Sequence, residues 1–370
     1  MKKIFMTLTL FMMLFFFSPL VAVGQATEEA ETLIYKAKVV EIKDTIEEKF
    51  EEGNILIITQ VADVRILNKD LKGQIVEVQN SLSGNPAYDI DLQKGDVISL
   101  HMERIEGESP VFYVAGYERV GYIFQIIGIF LILLILLGGW KGLKSVISLA
   151  VTVFLILYIM VPLLLKGFNP VLLAIFVCGI STIVTMLIIA GWNRKSISAI
   201  IGTVGGISVG GTVAYLYGVL ARLTGLGTEE AQMLMFIPQE TPLNFQGLLF
   251  AGILIGALGA AMDVSISIAS ALTELSIKVP DMSIRQTIRH GMNIGKDIMG
   301  TMSNTLILAY TGGAMTMIML FAAYQRSWNE VLNFDFIASE IIRSVAGSIG
   351  LLFAIPITAI SFALMHKIKH

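Results

Sequence analysis

Seven apolar stretches follow one another through the last two thirds of the chain. They run from Gly121 to Gly139, Val146 to Leu165, Pro170 to Ala190, Ile197 to Leu220, Gly247 to Leu272, Ile298 to Ala322 and Ile341 to Met365. Each is long enough to cross a hydrocarbon core about 30 Å thick, which takes roughly 20 residues of helix. Lipid offers no partner to an open backbone group, so such stretches become helices that satisfy their own hydrogen bonds. Composition agrees: 55% of the 370 residues are apolar and 15% charged, against about 25% charged in soluble domains. The expected fold class is an α-helical polytopic membrane protein.

The charge is concentrated ahead of these stretches. Of 29 Asp and Glu, 19 lie between Gln25 and Val120 beside 10 of the 26 Lys and Arg, leaving that segment at net −9. Five β-rich runs occupy it: Leu33 to Ile42, Ile55 to Leu67, Gly73 to Val78, Gly95 to Met102 and Val111 to Tyr117. Turn-type clusters such as Glu52-Gly53-Asn54, Ser83-Gly84-Asn85-Pro86 and Lys94-Gly95-Asp96 separate them. Five short strands leave exposed edges unless the sheet closes, so a small barrel of the oligonucleotide/oligosaccharide-binding type is expected. The charge run Glu47-Glu48-Lys49-Phe50-Glu51-Glu52 is read as a solvated loop. The acidic surface gives no reason to expect nucleic acid. It is consistent with an extracytoplasmic partner of the β domain or with plain solvation.

Met1 to Gly24 begins with Lys2 and Lys3, continues apolar from Ile4 to Val23 and ends in Ala22-Val23-Gly24. That is the pattern of a secretory signal peptide, and its length also suits an uncleaved anchor. The expected domains are therefore residues 1–24 as signal, 25–120 as an exported β domain, and 121–370 as a seven-helix membrane domain with a short basic tail. Loop charges point the same way. Lys141, Lys144, Arg194, Lys195, Lys278, Arg285, Arg289, Lys296, Lys367 and Lys369 fall on one side of the threading, and only Lys166, Arg222, Arg326 and Arg343 on the other. The richer side is expected to be cytoplasmic, with the C-terminus there and the β domain outside. Arg222 to Gln246 and Tyr324 to Glu340 are expected to lie near the opposite interface.

Polar chemistry enters the bilayer in the fifth and sixth stretches. Gly252, Gly256, Gly259, Asp263, Ser267, Ser270 and Glu274 recur at steps of three and four, which keeps them on one helical face. An ionised carboxylate facing lipid costs about 2.5–3.5 kcal/mol on insertion scales, so Asp263 is the leading candidate for a functional group. Its alternative role is to fix packing by bonding a partner helix. Asn293, Asp297, Thr301, Asn304, Leu308, Thr311 and Met315 form a similar stripe, with Asp297 also suited to capping a helix start. The two stripes are expected to line a polar track. In the fourth stretch Gly202, Gly206 and Gly210 form a small-residue ladder for close helix packing, a role also open to Gly252, Gly256 and Gly259.

The chain holds one cysteine, Cys178, and its four histidines, His101, His290, His366 and His370, are scattered. The methionines, spaced as helix filling, do not form a soft-metal site. No metal site and no cofactor are expected. Nucleotide-binding, zinc-protease and nucleophile-elbow motifs do not occur, so an enzyme is not expected; an intramembrane hydrolase would need a second carboxylate at the depth of Asp263.

With signal, β segment and seven stretches in this order, the segments Gly259-Ala-Ala-Met-Asp263-Val-Ser-Ile-Ser-Ile-Ala-Ser270 and Gly291-Met-Asn-Ile-Gly-Lys-Asp-Ile-Met-Gly-Thr-Met-Ser-Asn304 resemble those of the YibE/F-like membrane proteins. The resemblance spans nearly the whole chain. It implies a bacterial cell membrane and this architecture, and brings no substrate with it. The expected function is transport of a small solute or ion along the fifth and sixth spans. The competing expectation is a sensor or assembly scaffold whose β domain binds a partner.

Overall fold

Alternating apolar and polar side chains between Leu33 and Tyr117 give one face to a core and one to water, and the computed structural model closes them into a barrel. The structure describes residues 33–50, 55–103, 110–237 and 242–367. The expected signal sequence, the turn at Glu52-Gly53-Asn54, and Lys369 and His370 lie outside these residues. Strands β1 (Leu33–Phe50), β2 (Ile55–Ile66), β3 (Ile75–Leu82), β4 (Val97–Glu103) and β5 (Val111–Tyr117) follow the order β1-β2-β3-β5-β4 around the barrel. Neighbours are antiparallel except β3 and β5, which run parallel where Gln79 faces Tyr113.

The core repeats with period two. Tyr35, Ala37 and Val39 on β1, Ala62, Val64 and Ile66 on β2, and Ile98, Leu100 and Met102 on β4 point inward, joined by Val78, Leu92 and Phe112. Two buried amides enter this core with their bonds made. Gln60 donates to the Asp91 carboxylate at 2.9 Å and accepts from Leu92 N at 2.9 Å, while Asn80 donates to Gln60 at 3.0 Å and to the Ile90 carbonyl at 2.6 Å. Both therefore escape the penalty of an unpaired buried polar group.

One local expectation is corrected. The charge run from Glu47 is not a loop up to Phe50: β1 continues through it, pairing Glu47 with Ile58 and Phe50 with Ile55. The ladder satisfies the backbone whatever the side chains, and Asp44 to Glu47 stay exposed, so charge there does not oppose strand pairing. On this ribbon the Lys43 ammonium lies 2.8 Å from Asp63 and 2.9 Å from Glu77, and these two carboxylates hold it charged beyond its ordinary range.

The loop after β3 is tied by Asp89, whose carboxylate accepts from Ser83 N at 2.7 Å and from Ser83 Oγ at 2.9 Å. The backbone bond from Ser83, helped by its hydroxyl and by the amides of Gly84 and Asn85, holds the carboxyl below its ordinary 3.8. A depressed folded value means that the stabilisation is present above the unfolded value and is lost as pH falls through the folded one. The stability difference between the wild type and Asp89→Asn is therefore expected to be constant near neutrality and to shrink below about pH 4. Acid titration of amide exchange in the loop checks this; a difference that persists in strong acid would remove the charge from the explanation.

The helical part comprises α1 (Val120–Phe154), a π-helical turn at Leu155–Met160, α2 (Val161–Leu165), α3 (Pro170–Ala190), α4 (Arg194–Leu220), α5 (Glu229–Leu234), α6 (Phe245–Lys278), α7 (Ile284–Gly313), α8 (Met315–Ala323), α9 (Trp328–Leu332) and α10 (Asp335–Lys367). The chain divides into two compact units, one up to Ile132 and the other from Leu133. Among the described residues, five helical stretches are long and apolar enough to cross a membrane: Val120–Leu165, Pro170–Ala190, Arg194–Leu220, Phe245–Lys278 and Asp335–His366. A sixth forms if α7 and α8, bent by 59° at Ala314, count as one broken span. The first two expected spans both fall in Val120–Leu165, which is broken at Gly139 (φ +54, ψ −132), a conformation open to glycine and costly for other residues. The chain reverses there: a Cβ on Gly142 would fall onto the carbonyl of Leu134.

Within the second unit, α10 packs lengthwise against α4, with α6 and α7 alongside. Close approach rests on α4's small residues. A Cβ on Gly206 would lie 2.6 Å from the Gly350 carbonyl, and one on Gly210 2.8 Å from that of Ala346. Gly202 likewise sits against Thr358. The flanking connections are tied together, since Asp335 at the start of α10 accepts from Thr224 N and Thr224 Oγ1, both at 3.1 Å.

Candidate functional site

The interior of the helical unit is dry in character. Val264, Ile268 and Leu272 of α6 meet Leu306 of α7 and Leu351, Ile355, Ala359 and Phe362 of α10 in one apolar cluster. The polar groups buried at this joint are hydroxyls: Thr203, Ser265 and Thr358 are fully enclosed between α4, α6 and α10, and Thr203 and Ser265 have no hydrogen-bond partner. No carboxylate enters it.

The stripe of α6 lies on the opposite side. Gly252, Gly256, Gly259, Asp263, Ser267 and Glu274 are all exposed, with Ser270 half-buried. The buried side of the helix is apolar apart from Ser265, so the helix turns the stripe away from α10 and α4. Ser270 bonds back to the Ile266 carbonyl at 2.6 Å, whereas Asp263, Ser267 and Glu274 make no hydrogen bond or ion pair within the described chain. Asp263 stands near the middle of the 34-residue helix. Of the three glycines, Gly256 faces the hydroxyl of Tyr310, while a Cβ on Gly252 or Gly259 would meet nothing within 4 Å.

α7 has the same division. It starts at a Ser283–Gln286 capping box and buries Thr287, Gly291, Gly295 and Leu306. Its other side exposes Asn293, Lys296, Asp297, Gly300, Thr301, Asn304, Thr305 and Thr311. Asp297 sits four turns inside the helix and does not cap its start, a role that Ser283 fills. Thr301, Thr305 and Thr311 return their hydroxyls to the helix backbone at 2.8–2.9 Å; Asn304, Asp297 and Lys296 do not bond within the described chain. α6 and α7 run antiparallel, with Gly256 against Tyr310 and Leu272 against Gly291. Counting inward from the first pair places Asp263 level with Ser303 and from the second level with Gly300, within about one turn of Asn304.

The structure thus brings Asp263 and Asn304 within about one turn in depth on neighbouring helices and leaves both exposed on a single chain. It does not enclose the stripes as a track between α6 and α7. Glu274 and Asp297 lie further toward the end where α6 finishes and α7 begins.

A polar group not singled out from sequence lies near the other end of these helices. Arg343 and Glu340 of α10 pair at 2.9 Å, the guanidinium covers the Tyr310 ring at 5.8 Å, and Arg343 Nε is buried without a partner. Its signal was present as a Glu–Arg pair three residues apart inside an apolar span, a spacing that allows contact on a helix. At the end where α4 starts, an open cavity of about 310 Å³ is lined by Asn193, Arg194, Lys195, Thr273, Ser276, Phe362 and His366. Among the described residues, no cluster of three His, Cys, Asp or Glu side chains could hold a metal ion. His101 lies on β4 opposite Ile34 and Tyr113.

Two family models match the chain: the YibE/F-like protein model over residues 126–368, and the YibE/F family N-terminal domain model over residues 34–117. No curated protein and no solved structure matches it.

Proposed function

The chain belongs to the YibE/F-like family, and from the polar faces that α6 and α7 carry at membrane depth we propose that it transports a small solute or ion. The observation behind this is Asp263, an unpaired carboxylate midway along a helix long enough to span the bilayer. Ionisable groups at such depth are expensive and belong beside water, a partner or a permeating ion. Asp263 binds a cation or proton in this reading. Ser267, Ser270, Thr301 and Asn304 supply neutral ligands near it, and Asp297 and Glu274 stand toward one mouth.

The architecture that accompanies this reading has seven spans. The stretch Val120–Leu165 contains 46 residues, about 69 Å of helix at 1.5 Å per residue, twice the hydrocarbon thickness. The reversal at Gly139 supports counting it as two spans. The bent α7–α8 pair then supplies the sixth and α10 the seventh. The barrel's strand order supports the oligonucleotide/oligosaccharide-binding type, and the loop charges favour the barrel outside and the C-terminus in the cytoplasm. Transport of this kind needs no enzymatic step.

Proton and monovalent-cation flux into proteoliposomes tests the role of the acid. Asp263→Asn and Asp263→Ala are expected to lower flux about tenfold or more, the effect of about 1.4 kcal/mol on a limiting barrier. Wild-type flux in both variants would reject it.

A further inference from the structure

We propose that a second copy of this chain covers the polar face of α7, the two α7 helices packing around a two-fold axis along the membrane normal. The proposal deepens the transport reading and rests on the same placement of α7 in the bilayer: the polar face of α7 is exposed on one chain and becomes enclosed between two.

Three observations carry it. First, the uncovered face of α7 carries polar side chains at intervals along its length, with Ile307 and Leu308 exposed between Asn304 and Thr311. Asn293, Asn304 and Thr311 run down its centre at spacings of eleven and seven residues, which return to the same direction on a helix. Asparagine and threonine side chains facing hydrocarbon are unfavourable, and across a helix pair they hydrogen-bond. Second, the face permits close approach. Gly300 lies on it, and a Cβ there would meet nothing within 4 Å, whereas Gly291 and Gly295 on the buried side are already filled by Ala359 and Ile355. One side of the helix has used its small residues for packing within the chain, and the other has not.

Third, the face is complementary to itself in charge. With 100° per residue, Lys296 stands about 60° to one side of Asn293 and Asp297 about 40° to the other. Arg285 and Arg289 share the edge of Lys296. Neither Lys296 nor Asp297 makes an ion pair within the described chain. A two-fold axis parallel to the helices sets the edge on one side of each α7 against the opposite edge of the other. Lys296 of each copy thereby meets Asp297 of its mate, one residue apart in height. An isologous contact of this kind closes at two chains and does not propagate. A mate of different sequence has no reason to match both edges.

Cysteine crosslinking of the full-length protein in membranes tests this. In a Cys178→Ala background, Asn304→Cys and Thr311→Cys are expected to form disulfide-linked dimers on mild oxidation. Phe176→Cys, exposed on α3, is expected to remain monomeric. In nanodiscs, Lys296→Asp and Asp297→Lys each place like charges across the axis and are expected to weaken the dimer about tenfold, while the double variant restores it. Restoration separates pairing from misfolding, since an unfolded single variant would not be rescued by a second reversal. A monomer in nanodiscs, equal crosslinking at residue 176, or stoichiometric capture of a different protein by residue 304 would overturn the proposal. The outcomes separate from those of the flux test: crosslinking at residues 304 and 311 with no flux through the wild type rejects transport alone, and wild-type flux from a monomer rejects the dimer alone.

Discussion

Gly206→Leu is expected to prevent the second unit from assembling, so that the variant fails to accumulate in folded form. A Cβ at this position would already lie 2.6 Å from the Gly350 carbonyl, 2.7 Å from Ala354 Cβ and 3.1 Å from Ala354 Cα, and two of these three atoms belong to the backbone of α10. A flexible side chain can move aside; a helix backbone moves only with its helix. Overpacking ordinarily costs about 1–3 kcal/mol. Gly206→Ala is expected in that range, and leucine beyond it, a large share of the total stability of about 5–15 kcal/mol typical of a domain. α10 also packs against α6 and α7, so displacement from α4 disturbs three contacts. The contrast is Gly252→Ala. Nothing lies within 4 Å of that Cβ, and alanine gains up to about 1 kcal/mol in helix propensity over glycine. Thermal unfolding in nanodiscs reads both. Comparable melting temperatures for Gly206→Ala and Gly252→Ala would mean that the α4–α10 contact is not as close as described.

Tyr35→Ala is expected to open the barrel. The side chain is fully buried on β1, meets Phe112 of β5 edge-on at 6.1 Å between ring centres, and donates its hydroxyl to Asp70 at 2.8 Å. Removing a buried ring of this size costs about 3–5 kcal/mol through lost burial and the cavity left behind. Its inward neighbours on β1 and β2 are mostly small, since four of the other five positions there are alanine or valine: Ala37, Val39, Ala62 and Val64. Tyr35→Phe keeps the ring and is expected to lose only about 1 kcal/mol with the Asp70 bond. Hydrogen exchange of β1 and β4 amides in the full chain measures both variants. Unchanged protection in Tyr35→Ala would show that the ring does not hold the barrel closed.

Much of this was legible in residue order because both period and length are local properties. The period of two from Tyr35 to Val39 and from Ile98 to Met102 marks inward strand faces wherever the strands later pair. Where length misled, the cause was competition between charge and pairing: Glu47 to Phe50 look like a solvated loop, yet a ladder asks only for backbone groups, so β1 runs on. The small-residue ladder Gly202, Gly206, Gly210 foretold close packing, but not that its partner is α10, some 140 residues later in the chain. The pair Glu340–Arg343 is not legible in residue order because a base near a helix end reads as a loop charge until its neighbour on α7, Tyr310, is known.

Sequence alone determined that Asp263, Ser267 and Glu274 share a helix face with Gly252 and Gly259, because 3.6 residues per turn fixes direction around a helix without any partner. It could not determine what that face meets. Which side of α6 is turned to α10 depends on how hydroxyls, alanines and glycines from four distant segments fit, a matter of shape that no periodicity encodes. The tertiary structure filled the centre with the apolar side of α6 and placed Asp263 and Asn304 within about one turn of each other in depth on the outside. The close-packed core has no room for a charge and gains more from Val264, Ile268 and Leu272 than from a carboxylate.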